Sequence, residues 1–414
     1  MPLGLMFLNY NEEVNKNHII PMKKIGFLLP LILLSSCHVG RFFIWNTADV
    51  KDYKKFPARA IEKPIEPFRF VEAIGTDALK LPKEITVKKQ NYTFEQALEK
   101  SGTLAYLVIR NDSILYERYY DKYDAASIVP SFSVAKSFVS ALVGIAIDEG
   151  YIKSVHDPIT LYLNNLDAVK FGAITIEHLL NMRSGIQFNE AYFNPFGDVA
   201  KYYYGKNLKK YVARQNIRQA PDQAFEYISV NTQLLAMIVE QATGRPLDAL
   251  LQEKIWQPLG MEYDATWSID SRKNGTIKAF CCLNARARDF AKFGRLYLNN
   301  GNWNGQQIIS EDWVRHSTVI HREVNNFIYT YQWWHTVDAA PLTDSTYVNG
   351  LHRINNNADG TKYLVQPAPD YYAEGILGQF IYLYPDKNMI IVRLGKKEGS
   401  LPWATLAKAI ARNN

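Results

Sequence analysis

Ser133-Val134-Ala135-Lys136 holds a hydroxyl and an amine three residues apart, which on a helix puts both on one face. An alcohol is a weak nucleophile until a base stands beside it to take its proton. A lysine becomes that base once burial or a neighbouring charge has lowered its pKa. At a helix start the serine also feels the positive end of the backbone dipole, which favours charge developing on an attacked acyl oxygen. The chemistry on offer is acyl transfer through a serine without a histidine.

A serine three residues before a lysine is common, and by itself marks an ordinary helix start. The stretch after this pair is less common. Residues 137–150 are apolar nearly all round until Asp148, the pattern of a helix buried in a core. A core helix with Ser133 and Lys136 in its first turn is a rigid mount for a reactive pair. No Cys/His cluster has zinc-like spacing, so the sequence implies neither a metal nor another cofactor. His156 and His178 read as hydrogen-bonded structural histidines.

The elements that must carry the pair can be read on either side of it. Thr103–Arg110 and Ser113–Tyr120 flank Asn111-Asp112 and predict a β-hairpin. Gln379–Tyr384 and Met389–Leu394 flank Pro-Asp-Lys-Asn and predict a second, followed by a closing helix over 401–412. Between them the chain reads as mainly helical. Thr175 to Gly185, Asn231 to Gly244 and Ala285 to Leu298 are helix candidates, the first with a threonine cap and the first two ending at glycine. The fold class is therefore α+β: one antiparallel sheet built from both chain ends, flanked by helices, with a helical region inserted roughly over 150–280.

The start of the chain reads as an address. Met22-Lys-Lys24 is a charged start, Ile25 to Leu34 an apolar run, and Leu34-Ser-Ser-Cys37 a small-residue cleavage site. The run is shorter than the about 20 residues a bilayer span needs. A cysteine after Leu-Ser-Ser resembles a bacterial lipobox, so Cys37 is the expected lipidation site and the cell envelope the expected location. Residues 1–36 are then leader and signal, and 37–95, punctuated by Pro57, Pro64, Pro67 and Pro82, a tether and N-terminal extension; 96–414 form the main domain. Cys281 and Cys282 are neighbours, a poor geometry for a disulfide. They are expected to be buried apolar filler, with no structural disulfide in the chain. The formal charge of +6 is mild for 414 residues and forms no long basic run, which argues against a nucleic-acid partner.

Several stretches together resemble the serine β-lactamase-like family, which includes class C β-lactamases, DD-peptidases, family VIII esterases and 6-aminohexanoate-dimer hydrolases. They are Ser133-x-x-Lys136, the run from Ile174 to Gly185, Phe225-Glu-Tyr-Ile-Ser229, Arg288 to Gly294 with Trp303 to Ile309, and Gly375-Ile-Leu-Gly-Gln379. They run in family order over roughly residues 95–410. The resemblance implies a β-lactamase/transpeptidase-like fold. It also implies that Ser133 is the nucleophile, Lys136 its base and Tyr227, 94 residues on, the proton relay. Tyr227-Ile228-Ser229 stands where class C enzymes have Y-x-N, and its form is closer to the 6-aminohexanoate-dimer hydrolase branch. Ser229 could then hydrogen-bond Lys136 as the asparagine would. A competing alignment takes Ser229-Val230-Asn231 as the S-x-N of class A enzymes, with Ser229 as the relay.

The third family motif, Lys-Thr-Gly or His-x-Gly, corresponds to Ile376-Leu377-Gly378, which has no cation and no hydroxyl. The backbone N–H of Gln379, after Gly378, is expected to join that of Ser133 as an oxyanion hole. Without the cation, recognition of a substrate carboxylate is in doubt, which points away from a dedicated β-lactamase or DD-peptidase. Aromatic residues could line the pocket instead: Tyr192, Phe193 and Phe196, Tyr202 to Tyr204, and Tyr329 to Trp334, with Phe196, Trp333 and Trp334 as the candidates. The expected function is hydrolysis of a small-molecule or peptide-like ester or amide by a protein held to a membrane by its lipid. The rival from another class is a binding protein that keeps the fold without turnover.

Overall fold

In this computed structural model the described residues are 37–45, 47–73, 75, 79–320, 328–342, 353–357 and 359–414; the leader expected over 1–36 lies outside them. Both expected hairpins form. Thr103–Arg110 and Ser113–Tyr119 turn on Asn111 and Asp112, at φ 49° and 60°. Two successive left-handed residues match the twist of the strands they join, and Asn and Asp tolerate that region better than most residues. Gln379–Tyr384 and Met389–Gly395 make the second hairpin. Its last strand pairs antiparallel with Thr103–Arg110, so the two ends of the chain meet at the middle of one sheet. Its strand order is Tyr329–Thr330, Trp333–Pro341, Lys362–Gly375, Gln379–Tyr384, Met389–Gly395, Thr103–Arg110, Ser113–Tyr119, Val71–Glu72. All neighbours along it are antiparallel except the last pair.

Alternation along the strands divides the interior in two. Leu107 and Ile109 join the large core, while Tyr106 and Val108 face a second cluster covered by the helices Phe94–Lys100 and Trp403–Arg412. On the large-core side the helix Ala287–Leu298 lies close against the sheet at Gly294, where a Cβ would stand 2.8 Å from Leu383 Cδ2. Beyond it runs the helix Ala135–Asp148, buried from Ala135 to Ala146, with Phe138 stacked on Phe293 at 3.7 Å. This three-layer arrangement, with further helices between Ile159 and Trp256, is the expected α+β architecture.

The N-terminal segment packs on this body. The helix Cys37–Trp45 places Phe42 against Tyr204 at 5.4 Å, and Ala58–Ile61 pairs with Ala265–Ser268. That strand belongs to a small sheet continuing through Leu283–Ala285 to Val129–Pro130, the strand that leads into Ser133.

Two expectations are corrected. The helix capped by Thr175 ends at Leu180 rather than reaching Gly185. Gly185 instead turns at φ +70° where a Cβ would stand 2.2 Å from the Gln219 carbonyl. Cys281 and Cys282 are buried, as expected, but bonded to each other in a disulfide. The backbone accommodates it by placing Cys282 at φ +71°.

Candidate active site

The turn that carries Ser133 is built by burial and strain. Between Val129 and Ala146, Ser133 is the one residue that is not buried. It sits on a 3-10 turn, Phe132–Val134, that runs directly into the helix Ala135–Asp148. Phe132 is held at φ +43°, a costly conformation for a bulky residue, and Ser131 N–H donates to the Leu283 carbonyl at 2.7 Å. The surroundings thus over-determine the turn and present the serine.

Lys136 lies one helical turn on and is 1% exposed. Its Nζ is 2.9 Å from Ser133 Oγ and donates to the Phe280 carbonyl, also at 2.9 Å. The amine stands over the Tyr227 ring, 5.0 Å from its centroid. Burial lowers its pKa to about 8, against the opposing pull of Glu190. Tyr227 bonds the Ser133 side chain through its hydroxyl; burial, with Glu190 and Glu374 nearby, holds that phenol protonated well above its usual range. Serine, amine and phenol are therefore one hydrogen-bonded group.

Ser229 does not support Lys136. Its Oγ donates to Glu190 Oε1 at 2.6 Å and its N–H to Oε2 at 2.8 Å, because Ser229 opens the helix Ser229–Thr243 and Glu190 accepts at that N-terminus. Asn231 is fully buried and accepts from Ser184 Oγ at 2.6 Å, so the class A-like alignment places neither residue as a partner of Lys136. Glu190 also accepts from Tyr192 at 3.0 Å. It is the acidic residue with no signal in the sequence: nothing in a short loop points to a contact with Ser229, 39 residues away.

Two cavities meet at Ser133. The larger, about 300 Å³, is walled by Phe132, Tyr192, Phe193, Tyr203, Tyr204, Phe280, Cys281 and Leu377; the smaller, about 150 Å³, by Tyr227, Trp334, Glu374 and Gly375. Tyr192, Ile376 and Glu398 border both. Trp334 is thus a wall residue, its ring 5.4 Å from that of Tyr227. Trp333 is not: strand alternation sends it to the other face, where it is fully buried against Tyr297 at 4.6 Å. Phe196 is 69% exposed and lines neither cavity; Phe193, three residues earlier on the same loop, does.

The strand edge beside Ser133 is Gly375, where a Cβ would stand 2.6 Å from the Ser131 carbonyl and 3.0 Å from Ser133 N. Ile376 comes next and borders the cavities. Gln379 lies beyond the turn and lines neither, and its side chain is committed to Gly395, with Nε2 2.6 Å from that carbonyl. Gly378, at φ +75°, is required by what lies under the turn: a Cβ there would meet Arg393 Nη1 at 1.8 Å. Arg393 is buried and stacked on Trp403 at 3.7 Å. His178 caps its own helix and His156 pairs with Glu177 at 3.3 Å. Among the described residues no cluster of His, Cys, Asp and Glu could hold a metal.

Comparison with known proteins agrees with this geometry. The family described as Beta-lactamase matches residues 93–412. The chain is 29% identical over 352 residues to the 6-aminohexanoate-dimer hydrolase of Paenarthrobacter ureafaciens, covering 80% of this chain and 79% of that protein. A solved structure from Bacillus anthracis, described as a candidate 6-aminohexanoate-dimer hydrolase, superposes with a TM-score of 0.69 at 22% identity over 93% of this chain and 94% of its own. A penicillin binding protein from Bacillus halodurans superposes at 0.57 with 16% identity, covering 77% and 99%. At these identities the two structures speak to the fold alone.

Proposed function

The chain belongs to the Beta-lactamase family, and on that footing we propose that it is a serine hydrolase that cuts an ester or amide bond through an acyl-enzyme. Members of this family are typically serine hydrolases, and the chain is related to 6-aminohexanoate-dimer hydrolase. The observation that carries the reading is the Ser133 hydroxyl 2.9 Å from a buried amine whose pKa has fallen to about 8. Neutral Lys136 takes the Ser133 proton as Oγ attacks the carbonyl carbon. Charge gathers on the carbonyl oxygen, which is held by the N–H of Ser133 and that of Ile376 in place of the expected Gln379. Tyr227 passes a proton to the departing alcohol or amine while Lys136 returns one to it. Water then repeats the sequence on the ester and frees Ser133.

The walls narrow the substrate. The larger cavity is aromatic and suits an apolar acyl chain. Among the described residues the smaller cavity is lined by two acids, Glu374 and Glu398, and by no Lys or Arg, so neutral or cationic esters and amides are favoured over anionic ones. That argues against a β-lactamase or a DD-peptidase. We further propose that Cys37 carries the lipid that holds the protein to the cell envelope. The test of function is intact mass after a fluorophosphonate, with Ser133→Ala alongside. A single adduct on wild type and none on the variant supports the hydrolase. A folded wild type that takes no adduct supports a binding protein instead.

A further inference from the structure

The Phe280 carbonyl accepts from Lys136, and the backbone that presents it carries an unusual restraint. The Phe280 carbonyl carbon is bonded to the nitrogen of Cys281, and Cys281 and Cys282 close a disulfide across their shared peptide. The segment is anchored on both sides. Upstream, Lys278 Nζ donates to the Tyr202 carbonyl at 3.1 Å, and Ala279 N–H to Gln233 Oε1 at 3.2 Å. Downstream, Trp267 Nε1 donates to the Cys281 carbonyl at 2.8 Å, and Ser268 N–H to that of Cys282 at 3.0 Å. Between the anchors Cys282 is held at φ +71°, a region that a side-chain-bearing residue leaves unless its surroundings forbid it.

We propose that the Cys281–Cys282 disulfide is a redox-addressable clamp, which positions Lys136 through the Phe280 carbonyl and is released by small dithiols. Cys281 lines the cavity that holds Ser133 but is only 4% exposed, so a dithiol in the cavity reaches the bond as this wall opens. One thiolate of the reductant attacks Cys281 Sγ; the sulfur–sulfur bond breaks and Cys282 leaves as a thiolate, which takes up a proton. The second thiolate of the reductant then attacks the mixed disulfide, closes its own ring and expels Cys281, which is protonated in turn. Two electrons pass to the protein and the dithiol is oxidised. With the ring open, Cys282 can leave its left-handed conformation, the peptide before it can turn, and the carbonyl withdraws from Lys136. The bond persists in an oxidising compartment, which agrees with the proposed envelope location.

The clamp rests on the hydrolase reading, and one experiment separates their failures. Fluorophosphonate labelling rates are measured against pH for oxidised wild type, for wild type reduced by dithiothreitol, and for Cys282→Gly. Glycine accepts the same φ, so that variant keeps the fold without the bond. Apart from Ser133, the titratable groups facing Lys136 in the oxidised protein are Tyr227 and Glu190, and neither is altered; reduction adds the Cys281 and Cys282 thiols, whose ionised forms would raise the midpoint rather than lower it. The plateau rate should fall about tenfold to hundredfold on reduction, as expected for a base moved by about an ångström. The midpoint should drop below about 8, because the lost acceptor no longer favours the ammonium. Cys282→Gly should ignore dithiothreitol and label close to the oxidised wild-type rate, because glycine holds the left-handed conformation without the bond. Full rate and an unchanged midpoint in protein shown by mass to have gained two hydrogens would overturn the clamp. An oxidised wild type that takes no label would sink the hydrolase reading. The clamp would then stand or fall on whether reduction moves the Lys136 amine titration, followed by NMR of isotope-labelled lysine.

Discussion

In the proposed mechanism Lys136 sets the pH range in which Ser133 can react. The amine must be neutral to accept a proton, and burial leaves it half neutral near pH 8. The acylation rate should therefore climb as pH rises through about 8 and level off above it, and a flat profile from pH 6 to 10 would refute Lys136 as the base. Lys136→Arg keeps a charge of the same sign but cannot give up its proton, so labelling should slow by about 10²–10⁴-fold while the fold survives. Glu374 and Glu398 should act on substrate choice. Glu374 is pushed up to about 7 by burial and the nearby Glu398, so it carries its charge fully only above neutral pH. At pH 8, Glu374→Gln should shift the ratio of kcat/KM for cationic over anionic esters down by about fivefold, the value of one partly screened charge. An unchanged ratio would remove the acid pair from recognition. Ser133, Lys136 and Tyr227 were legible in the sequence because the first two share a helical turn and the third keeps a family spacing. Glu190 was not, since its contacts depend on how a loop closes over the start of a helix.

At the scale of elements, the site depends on how closely one strand end passes the turn that carries Ser133. Gly375 has an ordinary backbone conformation, so its lack of a side chain matters only for space: a Cβ would press on the Ser131 carbonyl and the Ser133 nitrogen. Gly375→Ala should separate the strand from the turn by a few tenths of an ångström or more. We expect labelling slowed by up to about 10²-fold with the melting temperature little changed. A variant as fast as wild type would show that the oxyanion is held elsewhere. The same turn is not legible in the sequence. The strands on either side were legible from their apolar runs, but which N–H faces Ser133 depends on where the three residues Ile376 to Gly378 reverse direction. Trp333 and Trp334 pose the same problem of parity, since two adjacent aromatics in a strand must face opposite ways and only the register says which faces the cavity. For Gly144 the close neighbour is the Trp313 ring, 2.4 Å from where a Cβ would be. Gly144→Ala should thus cost about 1–3 kcal/mol of stability by overpacking, read as a lower denaturation midpoint with labelling intact.

Over the whole molecule, joining both chain ends in one sheet encloses a helical region and forces several cations out of water. That much of the architecture was legible from two hairpins with good turn residues and an apolar helix between them. The buried lysine at position 278 was not, because nothing in its neighbourhood distinguishes a surface lysine from one pointing inward. Lys278 is fully buried, donates to the Tyr202 and Tyr203 carbonyls, and stands 4.5 Å from the Phe56 ring centroid. Burial lowers its pKa to about 7, with Arg41 adding to the effect and Asp270 opposing it. Between about 7 and the unfolded value of 10.5 the unfolded chain holds a proton that the folded chain has released. Stability must then rise with pH in that window, by up to about 1.4 kcal/mol per pH unit for each such group. Lys136 joins from about 8. The buried tyrosines act in the other direction only near and above their ordinary value of 10, where the unfolded chain loses phenol protons that the folded chain keeps. The protein should therefore resist denaturant better at pH 9 than at pH 7. Lys278→Met should reduce that gain by about one proton's worth of slope. Denaturation midpoints at pH 7, 8 and 9 for both proteins decide it: equal slopes would mean that Lys278 stays charged in the fold and that its two carbonyl partners are enough to hold an ammonium away from water.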